Sequence, residues 1–199
     1  VRRLPPGDGA AGVLVHSDAG EERFDDVVLA AHSDQSLALL ADASADEQRL
    51  LGAIRYQPNR VLLHTDASVL PRRRRAWAAW NYERAAERSR EEAGVCLHYL
   101  INRLQPLPWK TPVIVSMNPL RPIVEAKVLG EWCYTHPVFD RAAVQAQREL
   151  ATIQGRSGLW FCGAWTRYGF HEDGLMSGLA VADGLRAQWA AQDRLRAAA

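Results

Sequence analysis

The stretch from Leu159 to Leu185 restricts the fold more than any other part of the chain. Leu159-Trp160-Phe161-Cys162 is a short apolar run bounded by Gly158 and Gly163, the pattern of a strand buried on both faces. A loop dense in aromatic and ionisable groups follows: Trp165, Tyr168, Phe170, His171, Glu172 and Asp173. After Gly174, the residues Leu175, Leu179, Ala182, Leu185 and Trp189 recur at helical spacing, which predicts a helix burying that face. Strand, glycine, loop and helix in this order build ligand sites at the carboxyl ends of strands in open α/β sheets. Gly174, Ser177 and Gly178 are small enough to admit a planar ligand to the first helical turn, where free N–H groups carry partial positive charge.

Upstream, Gly7-Asp8-Gly9-Ala10-Ala11-Gly12 satisfies G-x-G-x-x-G, but Pro5-Pro6 precede it and the β-like Val13-Leu14-Val15-His16 follows. A dinucleotide fingerprint needs a strand before and a helix after, so this is a glycine-rich turn. Val13–His16 and Phe24–Ala31, joined through Ser17–Gly20, predict a hairpin whose apolar second member enters a buried sheet. Ser44-Ala45-Asp46-Glu47 is a capping box opening a helix that buries Leu50, Leu51 and Ile54. Val61–His64, Ala76–Tyr82, Val95–Ile101, Pro112–Met117 and Val124–Tyr134 read as strands, with Trp77, Trp80 and Tyr82 assigned to the core. Glu83–Glu92 lacks an apolar stripe and reads as an exposed loop or solvated helix. A helix capped by Asp140 runs to about Ile153 and is ended by Gly155.

FCGAW, GFHEDG and LMSGLAVADGL, with HTDASVLPRRRRAWAAWNY upstream, resemble the C-terminal FAD-binding segment of bacterial flavin-containing, amine oxidase-like oxidoreductases. The resemblance implies a mixed α+β and α/β chain, the C-terminal part of a two-domain FAD/NAD(P)-binding flavoprotein lacking the N-terminal βαβ unit. Residues 1–34 and 155–192 would be the remainder of the FAD-binding domain, and 35–154 a substrate domain. Ala30 and Ala31 would be the small residues that the first of these leaves near the cofactor. FAD would meet Gly163, Ala164 and Trp165 on one side. On the other it would meet Gly174, Leu175, Met176, Ser177 and Gly178 at the helix start, where a helix N-terminus stabilises negative charge developing on a reduced flavin. The activity implied is hydride transfer from a small organic substrate to flavin. The first residue is Val rather than Met, and the expected pyrophosphate site lies upstream of it. Weak or absent FAD binding by this segment alone is therefore expected.

The proton-accepting group is not evident. Tyr168 and His171, over the expected flavin, and His64, at a strand end, are the catalytic candidates. His16, His32, His98 and His136 read as structural. No metal site is expected, since the adjacent His171-Glu172-Asp173 cannot converge on one ion. Asp173 instead suits a helix cap and Glu172 the helix dipole. Arg72–Arg75 is a solvated or locally paired run, or a clamp for an anionic substrate. A net charge of +1 gives no reason to expect nucleic acid, and no apolar run reaches the ~20 residues of a membrane helix. Cys96, Cys133 and Cys162, without C-x-x-C, read as small buried hydrophobes in a reduced, cytoplasmic compartment. The alternative to an enzyme is a non-catalytic module on the same scaffold that binds a small molecule or a protein. A sheet edge left open would favour self-association in either case.

Overall fold

The computed structural model describes residues 1–4, 12–84 and 96–198. The glycine-rich turn before Gly12 and most of Glu83–Glu92 lie outside the described residues. The chain divides into two compact units, Val1–Tyr56 with Pro137–Ala199, and Gln57–His136. The borders differ from 34/35 and 154/155 because of where three helices pack. Strands β1 (Arg2–Leu4), β2 (Gly12–Ser17), β3 (Gly20–Phe24) and β4 (Val27–Leu29) lead into helices α1 (Ser33–Leu39) and α2 (Ala45–Gly52). Leu50, Leu51 and Ile54, on and just after α2, share one core with Val13, Leu29, Leu159 and Phe161. Ala143, Ala146 and Leu150 of the helical segment beginning with α3 (Arg141–Glu149) join the same core.

Within this first unit, β2 pairs with β3, Ser17 opposite Gly20, rather than with the apolar stretch after Phe24. Gly20 at φ 123° closes that tight turn, and its conformation is one that L side chains rarely adopt. β4 instead pairs in parallel with β10 (Leu159–Phe161), Leu29 opposite Phe161. The capping box at Ser44 is present: its hydroxyl accepts the Glu47 N–H while the Glu47 carboxylate accepts the Ser44 N–H at 2.8 Å.

Helix α4 (His171–Ala198) begins three residues before Gly174 and buries a different face from the one expected. Val181 is buried against Trp160 and Cys162, with Leu185 packed beside them. Leu175 is 57% exposed, and Leu179 and Trp189 are 49% exposed. Close approach decides the face, because a Cβ at Gly184 would stand 2.5 Å from the Trp160 ring. The helix therefore presses Gly184, Val181 and Leu185 against β10 and leaves Leu175 and Leu179 outward.

The second unit is built on a five-stranded sheet of order β6-β7-β8-β5-β9. Its strands are β5 (Arg55–His64), β6 (Trp80–Glu83), β7 (Cys96–Leu100), β8 (Ile114–Met117) and β9 (Val128–Val138). β6/β7, β7/β8 and β8/β5 are antiparallel. Trp80 and Tyr82 share a face, but Tyr82 is 71% exposed, so neither is core. β6 is an edge strand that turns Asn81 inward and leaves these rings outside. Trp77 alone of the three packs on a cluster of Val69, Leu70, Leu100 and Ile114. Cys96 and Cys162 are buried and Cys133 is exposed, on the long outer strand β9.

Candidate functional site

Two arrangements, one in each unit, carry chemistry. In the first unit β10 ends at Phe161, and both its N–H and its C=O are held by the Gln154 carboxamide, at 2.9 and 2.6 Å. At Phe161 this side chain closes the edge of β10. Gly163, at φ 149°, turns the chain where a Cβ would meet the Trp165 ring at 2.6 Å. The Gly163 N–H donates to Ser177 Oγ at 2.9 Å, and that hydroxyl donates to Gly174 O at 2.8 Å. Ser177 thus pins the strand end to the first turns of α4.

The Trp165 side chain is buried in the core and its indole donates to Ala31 O at 3.0 Å, which leaves only its backbone for a ligand. A Cβ at Gly178 would meet nothing within 4 Å, so space is open beside the helix start. Leu175, Met176 and Phe170 are exposed there, and a cavity of about 330 Å³ is lined by Phe161, Thr166, Arg167, Met176 and Ser177. Asp173 occupies the third helical position, not the cap. Its carboxylate reaches back to accept N–H groups of Phe170 and Tyr168 at 3.0 and 3.2 Å, half of a capping box. His171 and Tyr168 are exposed at the same end. Helix N-terminus, open space and exposed apolar side chains thus meet at one end of α4.

In the second unit a row of polar side chains, three buried and one half-buried, crosses four adjacent strands. His98 stands opposite Ser116, and Glu83 opposite Cys96, while His64 shares its sheet face with Ser116 through the β5/β8 register. His64 Nε2 is 2.7 Å from Ser116 Oγ, and His98 Nδ1 is 2.6 Å from the same oxygen. His98 Nε2 is 3.0 Å from Glu83 Oε2, and Glu83 Oε1 accepts from Arg121 Nε at 2.8 Å.

The row has a fixed starting point. The Asp66 N–H donates to His64 Nδ1 at 3.1 Å, so the neutral ring carries its proton on Nε2 and donates to Ser116. Burial pushes the His64 pKa down to about 4, against the opposing effect of the Asp66 charge, which keeps the ring neutral near pH 7. Ser116 then either donates to His98 Nδ1, with Nε2–H facing Glu83, or accepts from Nδ1–H, with the Nε2 lone pair facing Glu83 and Cys96. Burial would raise the Glu83 pKa, but hydrogen bonds from His98 and Arg121 outweigh it and hold the carboxyl low. Glu83, His98 and Arg121 line a cavity of about 550 Å³.

His64 is thus fully buried and engaged, and His98 belongs to a four-strand network rather than standing alone. The signal for His98 and Cys96 was present in the sequence as Cys96-Leu97-His98, two ligand-type residues at strand period on one face. Glu83 and Ser116 had no such signal, because strand pairing alone puts them there. The four arginines Arg72–Arg75 are exposed, with the Arg74 guanidinium 4.9 Å from the centre of the Trp77 ring.

No protein-family model and no curated protein sequence matches the chain. Among solved structures, it is similar to a CLA-producing fatty acid isomerase from P. acnes, at 16% identity and a TM-score of 0.52 over 82% of this chain. It is also similar to a putative protoporphyrinogen oxidase from Exiguobacterium sp. 255-15, at 12% identity and a TM-score of 0.56 over 94% of this chain. The chain spans 42% and 46% of those two proteins. No helix among the described residues is long and apolar enough to cross a membrane. At these identities the likeness speaks for the fold alone, a mixed α/β architecture shared with parts of those two proteins.

Proposed function

We propose that this chain is the C-terminal part of an FAD-dependent oxidoreductase of the amine oxidase type, acting on a small organic substrate. The observation that carries the reading is the start of α4, where Gly163 and Ser177 lock the strand end against the helix and Gly178 leaves open space. Bound there, FAD would supply the redox chemistry by accepting a hydride from the substrate. The first-turn N–H groups would stabilise negative charge on the pyrimidine end. Leu175 and Met176, exposed beside them, would cover the ring and keep water away. Ala164, packed next to Gly174, would add a small surface beside the same helix start.

The test is made on the polypeptide together with any coding sequence that precedes Val1. A flavin absorbance band in that purified protein, with FAD released on denaturation, is expected. Gly178→Leu should lower the FAD content while the far-ultraviolet circular dichroism stays the same. A longer protein that carries no flavin, or a Gly178→Leu variant with full flavin content, would remove the assignment. The present chain alone should lose added FAD on gel filtration, and stoichiometric retention would show that the site does not depend on the preceding segment.

A further inference from the structure

We propose that Glu83, Cys96 and His98 form a metal site of the zinc type, with Glu83 Oε2, Cys96 Sγ and His98 Nε2 as ligands. The fourth position is left for water or a ligand oxygen. Strand pairing produces the convergence. Cys96 and His98 lie two apart on β7 and so point to one face, and Glu83 on β6 is directly opposite Cys96.

The spacing of the three donor atoms is the first support. His98 Nε2 to Glu83 Oε2 is 3.0 Å, Cys96 Sγ to His98 Nε2 is 3.6 Å, and Cys96 Sγ to Glu83 Oε2 is 3.9 Å. Zinc bond lengths at tetrahedral angles put nitrogen and oxygen ligands about 3.3 Å apart, and sulfur about 3.5 Å from either. Shifts of a few tenths of an ångström therefore close three corners of a tetrahedron. Thiolate with imidazole and carboxylate is a donor set that suits zinc rather than calcium or magnesium.

The surroundings are the second support. A metal-bound imidazole needs a partner on its other nitrogen, and Ser116 Oγ is 2.6 Å from His98 Nδ1. With metal on Nε2, the Nδ1–H donates to Ser116, whose two lone pairs then accept from His98 and His64 together. Arg121 holds Glu83 Oε1 at 2.8 Å and leaves Oε2 for the ion. Among the described residues no fourth His, Cys, Asp or Glu belongs to the cluster. The cavity lined by Glu83 and His98 provides the entry. A thiol binds the ion as its thiolate, so metal uptake at Cys96 would release the thiol proton.

The test is titration of the purified, metal-free chain with Co²⁺, followed by displacement with Zn²⁺. One equivalent of Co²⁺ should produce a near-ultraviolet thiolate charge-transfer band and the intense visible bands of tetrahedral cobalt, and Zn²⁺ should remove both. Cys96→Ser should abolish the charge-transfer band, whereas Cys133→Ser, at an exposed position, should leave it intact. Ser116→Ala should weaken Co²⁺ binding about 10- to 100-fold by removing the partner of His98. If Cys96→Ser does not fold, Glu83→Gln serves instead and should weaken binding at least about tenfold while keeping the thiolate band. Absence of stoichiometric Co²⁺ uptake, a thiolate band that survives Cys96→Ser, or unchanged affinity in a folded Glu83→Gln overturns the proposal.

Discussion

Replacing Asp66 with Asn should destabilise the second unit by an amount that the Asp66 environment fixes in advance. The side chain is only 1% exposed, and its carboxylate accepts the Ser68 N–H at 3.2 Å, the Val124 N–H at 3.1 Å and the Lys127 ammonium at 3.2 Å. Burial pushes the pKa up, but these donors outweigh it and bring the value down from 3.8 to about 2. A folded-state pKa below the unfolded one contributes stability that is complete above the unfolded value and lost as pH falls through the folded value. A depression of nearly two pH units corresponds to about 2.4 kcal/mol at pH 7. Asn has the shape of the protonated acid, so Asp66→Asn should lose about that much at pH 7. The assay is urea denaturation of both proteins across the acid range. The difference between them should shrink to about half near pH 3 and nearly vanish near pH 2, provided both remain folded without denaturant. A variant as stable as the wild type at neutral pH, or a gap that does not change with pH, would refute the reasoning.

Three further outcomes are expected. His64, with a folded pKa of about 4 against 6.5, is favoured in its neutral form, so its contribution is complete above the unfolded value and lost as pH falls through the folded one. Wild-type stability should drop by about 3 kcal/mol between roughly pH 6.5 and 4 from this group, and His64→Gln should flatten that slope in urea melts. Gly158 has a φ of 78°, and a Cβ there would stand 2.4 Å from Asp25 O, so Gly158→Ala should cost about 2 to 4 kcal/mol by thermal or urea denaturation. Phe161 is fully buried in the main core, and Phe161→Ala should cost about 3 to 5 kcal/mol in the same assay, with far less at exposed Phe170.

Local signals were legible wherever one short segment carries the whole cause. The Ser44–Glu47 capping box, the buried strand at Leu159 and the Asp140 cap depend on neighbours within a few residues, and all three are present. The glycine turn at Gly163 was legible for the same reason. The face of α4 was not. Leu185 of the expected stripe packs beside Val181 while Leu175, Leu179 and Trp189 stay half exposed, and periodicity alone cannot say which edge of the stripe meets the protein. Only the approach of Gly184 to the Trp160 ring decides it. Pairing was equally hidden: Val27–Leu29 has the same apolar letters whether it closes a hairpin or lies parallel to a strand from the far end of the chain.

The candidate sites divide along the same line. The loop and helix start around Gly163 and Ser177 are contiguous in sequence, so their residue types and order could be read directly. The His64, Ser116, His98 and Glu83 row draws one residue from each of four strands, spread over more than fifty positions. Nothing in the local letters relates them, because sheet register, not sequence proximity, sets which side chains face each other. The sequence by itself determined the capped helix starts at Ser44 and Asp140 and the buried strand at Leu159, since capping and hydrophobic period act over a few residues. Tertiary structure alone decided which strands pair, which stripe of α4 is covered and which polar groups converge, because those depend on contacts between distant parts of the chain.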